Sequence, residues 1–169
     1  MGAWVRCLPL VILVGLCGAS DSSGALREYS TSGDDATADD SEGHPCEPKL
    51  PKGGLYATFR VNDEIFSSVI TNATGAQQAV DLWQGRSQAN IPVGRLVCKR
   101  KRWNCPWTWR QDPRTVEFAE VAIEVCDGLP SFVEESCPTF GAGSYCPFAA
   151  ELIRLQDCRT SRRCPLVPR

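Results

Sequence analysis

The sequence predicts an α+β domain: an antiparallel sheet with one main helix against it, small and stabilised by disulfides. Three observations lead there. Two runs of alternating apolar residues flank an Asn-Asp pair, a stretch just beyond them repeats its apolar residues at helical spacing, and eight of the ten cysteines lie past residue 45.

The elements follow in chain order. Leu55, Ala57, Phe59 and Val61 alternate with Tyr56, Thr58 and Arg60, which is the period of a strand. Asn62 and Asp63 supply a turn, and Phe66, Ser68 and Ile70 alternate on the returning strand. Thr74 with Gln77 fits a capping box, Ala76, Ala79, Val80 and Trp83 recur at helical spacing, and Gly85 suits the helix end. Residues 93–98 read as a third strand. Residues 116–126, rich in Val, Ile and Phe, read as a fourth, although their spacing also fits a helix. Asp127 and Gly128 make a turn, residues 131–135 a short helix after Pro130, and residues 148–155 a last strand or helix.

The chain opens as a secretory leader. Arg6 is followed by an apolar run over residues 8–16 and by the small residues Cys17, Gly18, Ala19 and Ser20, so residues 1–19 are expected to be removed as a signal peptide. The run is too short to span a bilayer, which takes about 20 apolar residues, and no later segment is long or apolar enough. Residues 20–45 hold seven acids against Arg27 alone, a net of −6, with almost nothing to bury. Such a stretch cannot offset its ordering entropy and is expected to be disordered. Residues 46–169 form the single domain. They hold sixteen Lys and Arg against thirteen Asp and Glu, a net of +3, so the net of −2 for the whole chain conceals an acidic segment beside a mildly basic domain.

Loss of the leader removes Cys7 and Cys17. The remaining Cys46, Cys98, Cys105, Cys126, Cys137, Cys146, Cys158 and Cys164 are even in number, which in a secreted chain argues for up to four disulfides of undetermined pairing. No Cys-x-x-Cys knuckle occurs and the only histidine is His44, in the loose segment, so neither a metal site nor a cofactor is expected.

Three features could carry function. Asn72-Ala73-Thr74 is an N-glycosylation sequon at a strand-to-helix junction. Lys99-Arg100-Lys101-Arg102 is the strongest charge run. It reads as a solvated loop tip tied by a Cys98–Cys105 bridge, as a nuclear-localisation or anion-binding patch, or as a proprotein-convertase cleavage site. Trp103, Trp107 and Trp109 follow directly, the last two on one face if the segment is a strand. With the neighbouring cations they could stack on sugars or bases, or instead fill a core. Lys99, Arg100, Lys101, Arg102, Trp103, Trp107 and Trp109 are therefore the candidate binding residues. Catalysis finds no support. On a strand Glu120 and Glu124 stand about 13 Å apart along the backbone, wider than the roughly 5–9.5 Å between a glycosidase's carboxyl groups. No Ser-His-Asp or Cys-His arrangement can form with His44 outside the domain.

The central residues also resemble a known family. Asn90-Ile91-Pro92-Val93-Gly94-Arg95, Pro106-Trp107-Thr108-Trp109, Asp112-Pro113 and the stretch over 116–128, continuing through Pro130, Val133 and Glu134 to Cys146-Pro147, are similar to a secreted domain family. It is named after the N-terminal region of a slime-mould BP protein and has bacterial relatives. The resemblance begins at the hairpin over 56–71 and covers most of the domain. It implies a compact extracellular domain and supplies no settled activity, ligand or catalytic residue. Some relatives are labelled calmodulin, yet no EF-hand loop occurs here. The basic tetrad and the extra cysteines set this chain apart.

Together these readings point to a secreted, non-enzymatic binding protein acting outside the cell on an anionic glycan or acidic protein, with no membrane span and no nucleic-acid partner. A host-directed effector or toxin-like protein, carried into a host cell, is the alternative. An extracellular matrix protein, a protease inhibitor and an unrecognised hydrolase stand behind it.

Overall fold

The computed structural model describes residues 46, 49–140, 143–161 and 163–169. The expected leader and acidic segment lie outside the described residues. Seven strands and two helices follow in order: β1 (Leu55–Val61), β2 (Glu64–Ile70), α1 (Ala73–Trp83), β3 (Ile91–Val97), β4 (Arg110–Gln111), β5 (Glu117–Ala119), α2 (Pro130–Phe140), β6 (Ser144–Tyr145) and β7 (Ala150–Asp157). The α+β class holds, and the antiparallel strands divide into two sheets. One has the order β2-β1-β7. The other is built on β3, which pairs β5 through residues 91–93, β6 through 94–95 and β4 through 96–97.

The hairpin forms where the alternation places it. Val61 pairs Glu64 across Asn62 and Asp63, and Asn62 takes φ 53°, a left-handed shape that asparagine tolerates. Both faces of this sheet are covered. Leu55, Ala57, Phe59, Phe66 and Ile70 enter the main core with Trp109, Phe118 and Tyr145. Tyr56 and Val69 meet Cys158, Cys164, Leu50 and Trp103 on the other side. In the main core Phe66 stacks on Phe59 at 5.1 Å and meets the Tyr145 ring edge-on at 5.4 Å.

Buried Gln111 joins the two sheets. Its Oε1 accepts from Ser68 Oγ on β2, and its Nε2 donates to the carbonyls of Pro92 and Tyr145 at 3.1 and 3.0 Å. Its side chain fills the space a Cβ would need at residue 94, which explains Gly94. A wholly buried amide with every polar atom bonded is strongly position-specific.

The cap of α1 differs from expectation. Asn72, not Thr74, is the N-cap: its Oδ1 accepts from Gly75 N at 2.6 Å. Thr74 lies inside the helix and Gln77 donates to Asp81 instead. Gly85, at φ 69°, stands just past the helix end as foreseen. The fourth strand is much shorter than the apolar run suggested. Only residues 117–119 pair with β3; residues 120–123 leave the sheet and Glu124–Cys126 form a 3-10 turn. The reason lies in the register: the antiparallel pairing of Ile91 with Ala119 sets residues 120–126 opposite residues 84–90, which precede β3 and form no strand, so they find no partner. The helix expected over 131–135 extends to eleven residues, started at Pro130 and held at Glu64, whose carboxylate accepts from Ser131 N and Oγ at 2.7 and 2.6 Å. The last element is a strand.

The eight cysteines among the described residues all pair: Cys46–Cys105, Cys98–Cys137, Cys126–Cys146 and Cys158–Cys164. The bridge expected between Cys98 and Cys105 is therefore absent. Instead the two ends of that loop are tied to distant parts of the chain.

Candidate functional site

The antiparallel pairing of β3 with β4 sets Val97 opposite Arg110 and sends the intervening residues 98–109 out as one long loop. The basic tetrad is the outer part of this loop. Lys99, Arg100, Lys101 and Arg102 are all exposed. Beneath them is a groove of about 530 Å³ lined by Arg95, Lys101, Arg110 and Arg114 together with Asp112, Trp103, Val97, Pro113 and Thr71. Lys101 belongs to both features and makes them one basic surface.

Charge in the groove is unbalanced. Among the described residues Asp112 is its only acid, buried at 7% side-chain exposure, and it serves two arginines. Arg114 approaches it at 3.2 Å, and Arg95 pairs with the same oxygen from β3. Hydrogen bonds from Arg114 foremost, with Arg95 adding to them, hold the Asp112 carboxyl well below the usual carboxylate range against the opposing effect of burial. Arg110 sits behind this cluster. Burial lowers its pKa, Asp112 opposes the shift, and the like charges of Arg114 and Arg95 reinforce it. Its Nε is buried and makes no hydrogen bond among the described residues. Four cations thus line the groove with one carboxylate, and the surplus is positive.

The tryptophans separate into three roles. Trp103 lines the groove, packs on the Tyr56 cluster, and accepts the Tyr56 hydroxyl on its carbonyl at 2.7 Å. Trp107 is half-buried, stacks on Trp109 at 6.2 Å and donates its Nε1 to Ile65 O. Trp109 is fully buried, with Nε1 donating to Pro130 O, so it presents no surface to a ligand. The expectation of contact at Trp109 is corrected: it is a core residue. Neither Trp107 nor Trp109 lies on a strand, since β4 begins at Arg110.

The sequon asparagine is structurally engaged. Asn72 Nδ2 donates to Val116 O at 2.9 Å while its Oδ1 caps α1. A Cβ at Gly75 would lie 1.9 Å from that same Val116 oxygen, so the helix start and the segment before β5 are in close contact. A glycan here would have to share the nitrogen that holds this junction.

Glu120 follows β5 and Glu124 opens the 3-10 turn, so the strand that would have spaced them does not exist. Among the described residues no group of three or more His, Cys, Asp or Glu could hold a metal, and no helix is long and apolar enough to cross a membrane. Sequence reasoning missed Arg95, Arg110 and Arg114. The one visible sign was the alternation Arg110, Asp112, Arg114, whose charges gather at the end of β4.

Two sheets, two helices and four disulfides define an α+β domain of the kind that folds in an oxidising compartment. A family model, that of the BP-74 N-terminal domain, matches residues 55–159, and the chain belongs to that family. No curated protein and no solved structure matches the chain.

Proposed function

We propose that this is a secreted, non-catalytic binding module whose basic loop and groove take an anionic extracellular glycan. The observation that carries the reading is the charge surplus at the groove: Arg95, Lys101, Arg110 and Arg114 face one buried carboxylate, with Lys99, Arg100 and Arg102 beside them. Charge-assisted bonds from guanidinium groups suit sulfate and carboxylate, which they meet bidentately. Trp103 adds an aromatic wall, which favours a sugar over a simple polyanion. The leader and the paired cysteines support an extracellular setting.

The test uses a heparin oligosaccharide as the sulfated probe and poly-glutamate as the acidic-protein probe, each titrated into the oxidised protein. Binding of the oligosaccharide, weakened by reversing Lys99, Arg100 and Lys101 to Glu, is the expected result. Equal or tighter binding of poly-glutamate would move the assignment to an acidic protein partner. Retention of oligosaccharide binding by the reversed variant would show that the loop is the wrong surface.

A further inference from the structure

The loop that carries the tetrad is anchored on both sides of it and exposed in the middle. Before it, Cys98 is bonded to Cys137. After it, Trp103 O accepts the Tyr56 hydroxyl, buried Asn104 accepts from Ser67 N at 2.7 Å and donates to Trp109 O at 2.8 Å, and Cys105 is bonded to Cys46. Between these anchors the four basic residues are exposed, and residues 99–101 belong to no helix or strand. Lys101 is already extended, at φ −138° and ψ 136°, the backbone shape in which proteases read a substrate. Only a three-residue 3-10 turn, Arg102–Asn104, follows. It is held by a bond from Asn104 N to Lys101 O, and Lys49 N reaches Arg102 O at 3.4 Å. The Arg102–Trp103 bond stands at the first residue of this turn, and exposed loop tips are where proteases act.

The disulfide pattern decides what a cut here would do. Cleavage after Arg102 divides Cys46 and Cys98 from Cys105 and Cys137, so two bridges cross the break. We propose that this chain is the substrate of a secretory-pathway protease specific for paired basic residues, and that it matures into two disulfide-linked chains cut between Arg102 and Trp103. Water adds across that peptide bond; Arg102 takes the carboxylate and Trp103 the α-ammonium, and no electrons are exchanged. Residues 99–102 become a free basic arm with a new C-terminus, while Trp103 keeps its place against Tyr56. This proposal does not rest on the glycan reading, and its test measures no binding.

Purified, oxidised protein is incubated with a calcium-dependent proprotein convertase, and its mass is read before and after reduction. A peptide spanning residues 97–106 serves as the unfolded reference substrate. The expected result is a gain of one water without reduction, two fragments after reduction, and one fragment that starts at Trp103. Arg102→Ala, a change at an exposed side chain, leaves the protein whole while its near-ultraviolet circular dichroism matches the parent. The proposal is overturned if the native protein stays whole at a protease concentration that consumes the peptide, or if the peptide itself is not cut. Fragments that separate without reduction would overturn the two-chain product. A cut that Arg102→Ala does not prevent would overturn the site.

Discussion

Residues 98–109, between β3 and β4, and residues 120–129, after β5, both leave the second sheet for solvent. The first segment is polar at its tip and fixed at its base, by two long-range disulfides, a buried Asn104 and Trp103 packed on the Tyr56 cluster. The second carries Val121, Ile123 and Val125 at 84, 70 and 89% exposure and is held by Cys126–Cys146, by Cys146 N bonding to Cys126 O, and by Phe148 N bonding to Asp127. A run of aliphatic residues on the surface and a run of cations on a rigid base invert what composition alone suggests. Burial is decided by where a partner strand is available, and β3 begins at Ile91, opposite Ala119, so none lies opposite residues 120–126.

The contrast can be broken at several points. The largest effect is expected at the loop base. Replacing Cys46 and Cys105 together by Ser opens a 59-residue separation and should cost about 4 kcal/mol, against about 3 kcal/mol for Cys126 and Cys146, separated by 20. Denaturant unfolding of the oxidised variants reads the difference, and equal losses would remove the distinction between the segments. Asn104→Ala strands the Ser67 N–H and the Trp109 carbonyl in the interior and should cost about 2 kcal/mol by the same measurement. At the junction under α1, Asn72→Ala should cost about 1 kcal/mol for the lost cap, whereas Thr74→Ala should leave the helix start unaffected. A loss confined to Thr74 would restore the capping box that the sequence suggested.

Acid reads the groove directly. The folded pKa of Asp112 is depressed, chiefly by Arg114. Its contribution to stability is therefore complete above the unfolded carboxylate value of about 4 and lost as pH falls through the lower folded value. Asp112→Asn should flatten the acid limb of the stability profile below about pH 4 and leave the limb above it parallel to the parent. The smallest effect belongs to the exposed aliphatics: Val121→Ser with Val125→Ser should change stability by no more than about 0.5 kcal/mol.

Local features of the sequence were legible where a local cause produced them. The hairpin needed only alternation and a residue tolerant of positive φ at 62, and α1 needed only its apolar spacing and Gly85. The α+β class followed from these and from an even cysteine count. The length of β5 was not legible, since it depends on its register with β3, which begins only at Ile91, opposite Ala119. Disulfide pairing was hidden for the same reason: Cys98 and Cys105 are near in sequence, but their partners come from α2 and from the chain ahead of β1. The basic tetrad stood out as a run. The arginines of the groove did not, because Arg95 meets Arg110 and Arg114 only once β3 and β4 have paired. Trp109 looked like a contact residue because composition cannot distinguish a tryptophan at a core centre from one at its rim.

The central claim is that the groove and its loop act as one anion-binding surface. Titration of a heparin oligosaccharide into the parent protein and into Arg110→Gln with Arg114→Gln, over a series of salt concentrations, tests it most directly. The account predicts that parent affinity falls steadily as salt rises, and that the double variant binds about tenfold or more weakly, roughly 1.4 kcal/mol, with a shallower salt dependence. Equal affinity and equal salt dependence in the two proteins would contradict it.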